Sequence, residues 1–381
     1  MFIEKIHQDD IDEITGTRIN SIKTKKGNIQ TPLRGANNSY CNAFKKDKEC
    51  RNKPFPTPWV ELSNKIPTPE KMKELIDELG SKSDKLMSLN APFRKNCIIE
   101  YSPVINNSIK YDKNIKEKIT SFLNLGINSK ADIISIPDFN EKPVRFKDKI
   151  LFAEKLLLSH PEEKNHEIMP YIRSDSRKFE DKLNILTTEG FNLIGIDYHG
   201  YSGVCKTNFN RLQNFARDLN RDIIVKIGHT KRKINNTNAS TPHLMFYFGA
   251  DIVTERVNNI PKHLYDYEKK KMPPRDIDSV SYFNPSNLGI IKKEDLPDFY
   301  GVECNCPYHR NERYNKESNF FIQDGDMMGQ RSKICELYSG NMECERSKPS
   351  IVEDSYLEYL RNKKCIRNTL DLNFTPLNSF Y

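Results

Sequence analysis

The 381-residue chain lacks any apolar run approaching the length of about 18 to 20 residues that a bilayer-spanning helix needs. It also lacks a secretory leader, so the sequence reads as a soluble cytoplasmic protein. No glycine-rich loop opens a helix, which removes the phosphate cradle of P-loop and dinucleotide enzymes. No internal repeat is present. Nine cysteines without a leader argue for a reducing compartment and against a disulfide framework.

What is present is a regular alternation. Short runs rich in β-branched residues fall at 97–101, 131–136, 167–172, 193–197, 222–227 and 250–253. Amphipathic segments lie around them, at 69–79, 113–125, 146–159, 177–189 and 208–219. Six strands in this rhythm predict an α/β fold, a (β/α)8 TIM-type barrel in preference to an open sheet, over residues 1–300. Residues 301–381 are read as a separate zinc-binding subdomain ending in one helix over 352–364.

Barrel enzymes act at the C-terminal ends of their strands. The residues just after each apolar run are Glu100, Asp138, Arg173, Asp175, Asp197, His199, His229, Asp251, Thr254 and Glu255. This acidic rim suits a purine-like base better than a phosphate group. A net charge of +8 and a basic, turn-rich stretch at 267–275 agree with a polyanionic partner.

The sharpest motif is Cys304, Cys306 and His309, followed after twenty-five intervening residues by Cys335. A C-x-C-x2-H cluster with one distant Cys supplies four ligands for tetrahedral zinc, leaving no open position for water, so the predicted metal is structural. This spacing resembles the C-terminal zinc cluster of the tRNA-guanine transglycosylases, with the third and fourth ligand types exchanged. Gly16 to Ile19 and Thr24 to Pro32 resemble the opening β-hairpin of the same family, which covers the floor of its barrel.

The resemblance implies a transglycosylase that exchanges guanine in a nucleic acid for a free 7-deazaguanine such as 7-cyano-7-deazaguanine, through a carboxylate-linked glycosyl intermediate. Loss of the tRNA enzyme's signature motifs points to the branch that modifies DNA. A tRNA enzyme of the queuine or archaeosine type and a non-catalytic nucleic-acid-binding paralogue are the alternatives. The family's nucleophile position falls on Thr254, so the role is assigned to Asp251, with Glu255 as the other candidate and Glu100 as general base. Asp138 resembles the aspartate that grips the purine edge. Asp197 and His199 follow a strand that in the family ends in two glycines, and are expected to read the base. The resemblance further implies a homodimer.

Overall fold

The computed structural model describes residues 2–50, 53–159, 165–218, 222–234, 237–257, 277–292, 294–295, 306–308 and 325–371. The chain opens with β1 (Ile3–Ile11), β2 (Arg18–Thr24) and β3 (Gly27–Gln30), a three-stranded antiparallel sheet. Two short strands follow, β4 (Leu33–Arg34) and β5 (Ala36–Asn37), then α1 (Asn38–Lys46) and β6 (Trp59–Ile66). From there strands and helices alternate. They are α2 (Pro69–Asp77), α3 (Leu79–Asn90), β7 (Ile98–Ile105), α4 (Ile115–Asn128), β8 (Ile133–Ile136), α5 (Pro143–Leu158), β9 (Glu167–Arg173), α6 (Phe179–Thr188), β10 (Leu193–Asp197), α7 (Gly203–Asp218), β11 (Ile224–Thr230), α8 (Thr241–Tyr247) and β12 (Ile252–Glu255).

All nine strands from β4 to β12 pair in parallel, in the order β4-β12-β11-β10-β9-β8-β7-β6-β5. The two ends of that order, β4 and β5, flank Gly35 and form two halves of one strand position. The sheet therefore curls into a nearly closed parallel barrel flanked by helices. Gly35 is required at the break, because a Cβ there would sit 2.6 Å from Thr254 Cγ2.

The barrel interior is layered, as side chains alternate in and out along each strand. Leu33, Trp59, Ile98, Ile133, Met169, Leu193, Ile224 and Ile252, at the strand starts, form an apolar lowest layer. Phe2, Ile3, Ile6 and Ile22 from the three-stranded sheet join that cluster, so this sheet packs on the N-terminal end of the barrel. Two residues further along each strand come Glu61, Glu100, Ser135, Tyr171, Gly195, Lys226 and Thr254. The outward set, including Val60, Ile99, Ile134, Ile194, Val225 and Val253, belongs to the core beneath the helices.

The six expected strands are all present, while β4, β5 and β6 carry no continuous apolar run and were not among them. After β12 come a hairpin, β13 (Ser281–Asn284) with β14 (Gly289–Lys292), and α9 (Gly325–Val352), which packs against α1 and β4. The single helix expected over 352–364 is instead split. Asp354 adopts a left-handed backbone with φ 52° that ends α9, and α10 (Tyr356–Arg361) and α11 (Lys364–Asp371) follow. Among the described residues, no helix is long and apolar enough to cross a membrane.

Candidate functional site

A connected set of charged and polar side chains rises from the middle layer to the C-terminal mouth. Lys226 Nζ lies between Glu61 and Glu100, forming ion pairs of 2.5 Å with both. Glu100 also accepts from Trp59 Nε1 at 2.8 Å, Ser135 Oγ at 2.8 Å and Tyr171 Oη at 3.0 Å. Thr254 Oγ1 donates to Glu61. Such groups are tolerated in the interior because each charge has an opposite neighbour and further hydrogen bonds.

His229 joins this interior to the mouth. Its backbone is left-handed, with φ 59°, within the irregular register of β11 between Ile227 and Thr230. Its Nε2 lies 3.0 Å from Glu61 Oε1 and its Nδ1 2.8 Å from Asp197 Oδ1. Asp197 Oδ2 in turn lies 3.0 Å from His199 Nε2. The result is a row Glu61, His229, Asp197, His199 running outward. Burial would push the His229 imidazolium toward deprotonation, but Glu61 and Asp197 outweigh it and raise its pKa to about 10. Burial likewise disfavours the Glu61 anion, yet Lys226 and His229 bring its pKa down to about 2. Against the same burial penalty, His229 and His199 hold Asp197 well below the usual carboxylate range.

The row ends in a mouth cavity of about 280 Å³ lined by Asp197, His199, His229, Lys65, Lys231 and Arg256, among others. The Asp197 and His199 side chains are 14% and 23% exposed, so both reach the cavity from a firmly held position. An ionised carboxylate flanked by two imidazoles can stabilise developing positive charge, form a covalent bond to an electrophilic carbon and relay a proton.

The other expected site residues lie elsewhere. Asp251 precedes β12 at the opposite end of the barrel, fully buried, paired with Arg18 Nη2 at 2.5 Å and accepting from Asn20 Nδ2 and Val225 N at 2.7 Å each. Burial raises its pKa to about 6 despite Arg18. Asp138 receives Lys182 Nζ at 2.8 Å on both oxygens, together with the amides of Asn140 and Arg173 at 2.7 and 3.1 Å. Its acceptor positions are thereby occupied and it is absent from the mouth lining. Glu100 sits one layer below the mouth. Glu255 does reach the C-terminal end, beside Arg34 and Tyr40. Burial and Glu336 raise its pKa to about 7, opposed by Arg34 and Arg232.

Sequence reasoning missed Glu61, Lys226 and Tyr171. The legible signal was a lone charged residue at an inward position, as in Ile223-Ile224-Val225-Lys226-Ile227.

Of the four expected zinc ligands, Cys304 and His309 lie outside the described residues. Cys306 and Cys335 are both buried in one small cluster with Val280, Tyr282, Ile291 and Met328. Two thiol-bearing residues, Cys306 and Cys335 of α9, thus share one apolar cluster. Among the described residues there is no group of three or more metal-ligating side chains. No protein-family model matches this chain, and no curated protein matches it.

Proposed function

We propose that this chain exchanges guanine in a nucleic acid, DNA in preference to tRNA, for a free 7-deazaguanine base. The observation that carries the reading is Asp197, an ionised carboxylate presented into the barrel mouth between His229 and His199. In this scheme an Asp197 oxygen bonds to the sugar C1′ as the C1′–N9 bond breaks, and His199 gives the departing guanine a proton. The incoming base then loses its N9 proton to His199, its N9 bonds to C1′, and the Asp197 ester is released. His229 stays protonated and keeps Asp197 ionised. The nucleophile role thus moves from Asp251, which Arg18 engages at the far end of the barrel, to Asp197.

The resemblance in the opening hairpin and the cysteine cluster supports the reaction class. The packing of Ile22, with the partly buried Ile29, against the apolar layer at the strand starts supports the floor-covering role expected of that hairpin. Cys304, Cys306, His309 and Cys335 would hold a structural zinc that fixes the segment after β14. Lys65, Lys231 and Arg256 supply the positive rim that a phosphate backbone needs. One observation favours the non-catalytic paralogue instead: Thr254, at the family's nucleophile position, is buried and bonded to Glu61.

The test is incorporation of labelled guanine and labelled 7-cyano-7-deazaguanine into duplex DNA and tRNA in parallel, with wild type, Asp197→Asn and Asp251→Asn. The expected result is exchange into DNA that Asp197→Asn abolishes and folded Asp251→Asn retains. Exchange surviving Asp197→Asn refutes the assigned nucleophile. No exchange into either polymer by folded wild type favours the binding paralogue.

A further inference from the structure

The loop after β7 lines the mouth through Asn106 and Asn107. It is pinned at several points. Asn106 N donates to Ile66 O at 3.2 Å, Ile109 N to Asn106 O at 3.0 Å, and Ser108 Oγ to Pro67 O at 2.8 Å, which ties the loop to the end of β6. Both side-chain carbonyls are engaged by groups that can only donate. Asn106 Oδ1 accepts the Asn107 amide N–H at 2.6 Å, and Asn107 Oδ1 accepts from Arg173 Nη1. A backbone N–H and a guanidinium offer no acceptor, so the oxygen of each side chain is the atom turned toward them and Nδ2 is left on the other arm. Among the described residues neither Nδ2 has a protein partner.

Arg173, the last residue of β9, is buried and held by a two-pronged ion pair, with Nε and Nη2 on Asp175 at 2.8 and 2.7 Å. Its amide N–H reaches Asp138 Oδ2 at 3.1 Å. The aspartate expected to grip the purine edge therefore holds instead the strand end from which Arg173 extends. In the sheet Arg173 is the register partner of Asp197 on β10, while β8 separates β9 from β7. Arg173 thus links the Asp197 side of the mouth to the Asn107 side. The mouth presents the Asp197 carboxylate from β10 and two side-chain N–H2 groups from the loop after β7, in places fixed by the protein itself.

Two N–H2 groups match a ligand edge made only of acceptors. Guanine carries such an edge in O6 and N7. We infer that Asn106 and Asn107 read this edge of the entering base, selecting a 6-oxo group and a 7-substituent that ends in a hydrogen-bond acceptor. The inference rests on the base-exchange reading of the mouth and adds which bases it admits. A nitrile at position 7 offers a lone pair and no proton. An aminomethyl group is an ammonium with three donors and no acceptor, which sets donor against donor. The 6-amino group of adenine meets the same conflict.

The experiment measures by calorimetry the affinities of free 7-cyano-7-deazaguanine, 7-aminomethyl-7-deazaguanine, guanine and adenine. The proteins are wild type and the Asp and Ala variants of Asn106 and Asn107, with folding checked by circular dichroism. Aspartate has the shape of asparagine, keeps the oxygen that Asn107 N or Arg173 uses, and puts an acceptor where the N–H2 group was. Wild type is expected to bind the cyano base about 10-fold more tightly than the aminomethyl base, the difference of one hydrogen bond made against one opposed. At least one of Asn106→Asp and Asn107→Asp should weaken the cyano base by about 10-fold and strengthen the aminomethyl base, reversing the order. The matching Ala variant removes the donors without adding charge. It should still weaken the cyano base, by about 5-fold, which separates loss of a hydrogen bond from a general attraction of the ammonium.

An unchanged preference in all four variants overturns the assignment, and base exchange by the same preparation would leave the exchange reading intact. An equal loss for all four bases overturns it too, because that shows a general disturbance of the mouth. The expected shifts in a protein that exchanges base into neither polymer support the role of the two asparagines and refute the exchange reading. Binding of none of the four bases by folded wild type overturns the assignment, and the exchange assay on that preparation then decides the reading by itself.

Discussion

Replacing His229 with Asn should destabilise the protein in a way that depends on pH with a definite sign. Asn is the suitable substitute because it tolerates the left-handed backbone at this position better than most residues do. The change removes the cation held between Glu61 and Asp197. Viewed from His229, the rise in pKa from 6.5 to about 10 corresponds to about 5 kcal/mol, divided between two carboxylates. Viewed from Glu61, the fall from 4.5 to about 2 corresponds to about 3 kcal/mol. These are one interaction seen from its two ends and are not summed. The smaller figure, which includes Lys226 as well as His229, sets the expected loss at about 3 kcal/mol, within the range for breaking a buried ion pair.

The pH window follows from the raised value. Because His229 binds its proton more tightly when folded, its contribution is complete below pH 6.5, declines as pH rises and is lost above about pH 10. The gap in unfolding free energy between wild type and His229→Asn should therefore be largest at pH 6 to 6.5 and should narrow toward pH 10. Guanidinium unfolding at fixed ionic strength measures it. Fluorescence of Trp59, the single tryptophan, reports from inside the same network through its hydrogen bond to Glu100. Taking the difference between the two proteins cancels other groups that titrate in this range. A gap below about 1 kcal/mol at pH 6.5, or one that stays constant to pH 10, refutes the proposed ion-pair row.

Two further outcomes are expected. Gly195→Ala should cost about 1 to 3 kcal/mol, since its Cβ would lie 2.3 Å from the Tyr171 ring, which the hydrogen bonds to Glu100 and Lys226 prevent from yielding; unfolding midpoints would show it, and an unchanged midpoint contradicts the packing. On the proposed zinc reading, Cys335→Ser should lower the bound metal and unfold the segment around α9 together, because a structural zinc would contribute directly to folding. Metal analysis with limited proteolysis tests this, and a folded, protease-resistant, metal-free variant contradicts it.

Much of the barrel was legible because parallel strands buried on both faces are rich in isoleucine and valine, and six such runs stand in a helical rhythm. The three strand segments not anticipated are those without that signal. β4 and β5 are two residues each around Gly35, and β6 interleaves Glu61, Ser63 and Lys65 with its apolar residues. Its polar residues mark the inward face, which in this protein carries charge rather than hydrocarbon. The same inversion hid Lys226.

The candidate site was legible only in part. Asp197 and His199 were picked out because they follow a strand, and the barrel rule holds for them. Asp251 has the right chemistry but precedes its strand, so the fold carries it to the floor beside Arg18, 233 residues away in the chain. Asp138 follows its strand, but Lys182, 44 residues on, reaches back and occupies it.

Local sequence determined the element types, their order and the supply of carboxylates, imidazoles and thiols, since propensity and periodicity act over a few residues. Only the tertiary structure decided which carboxylate meets which cation and which is left facing a cavity. Those pairings depend on strand register and on closure of the barrel between β4 and β12, and both bring together residues that are far apart in the chain.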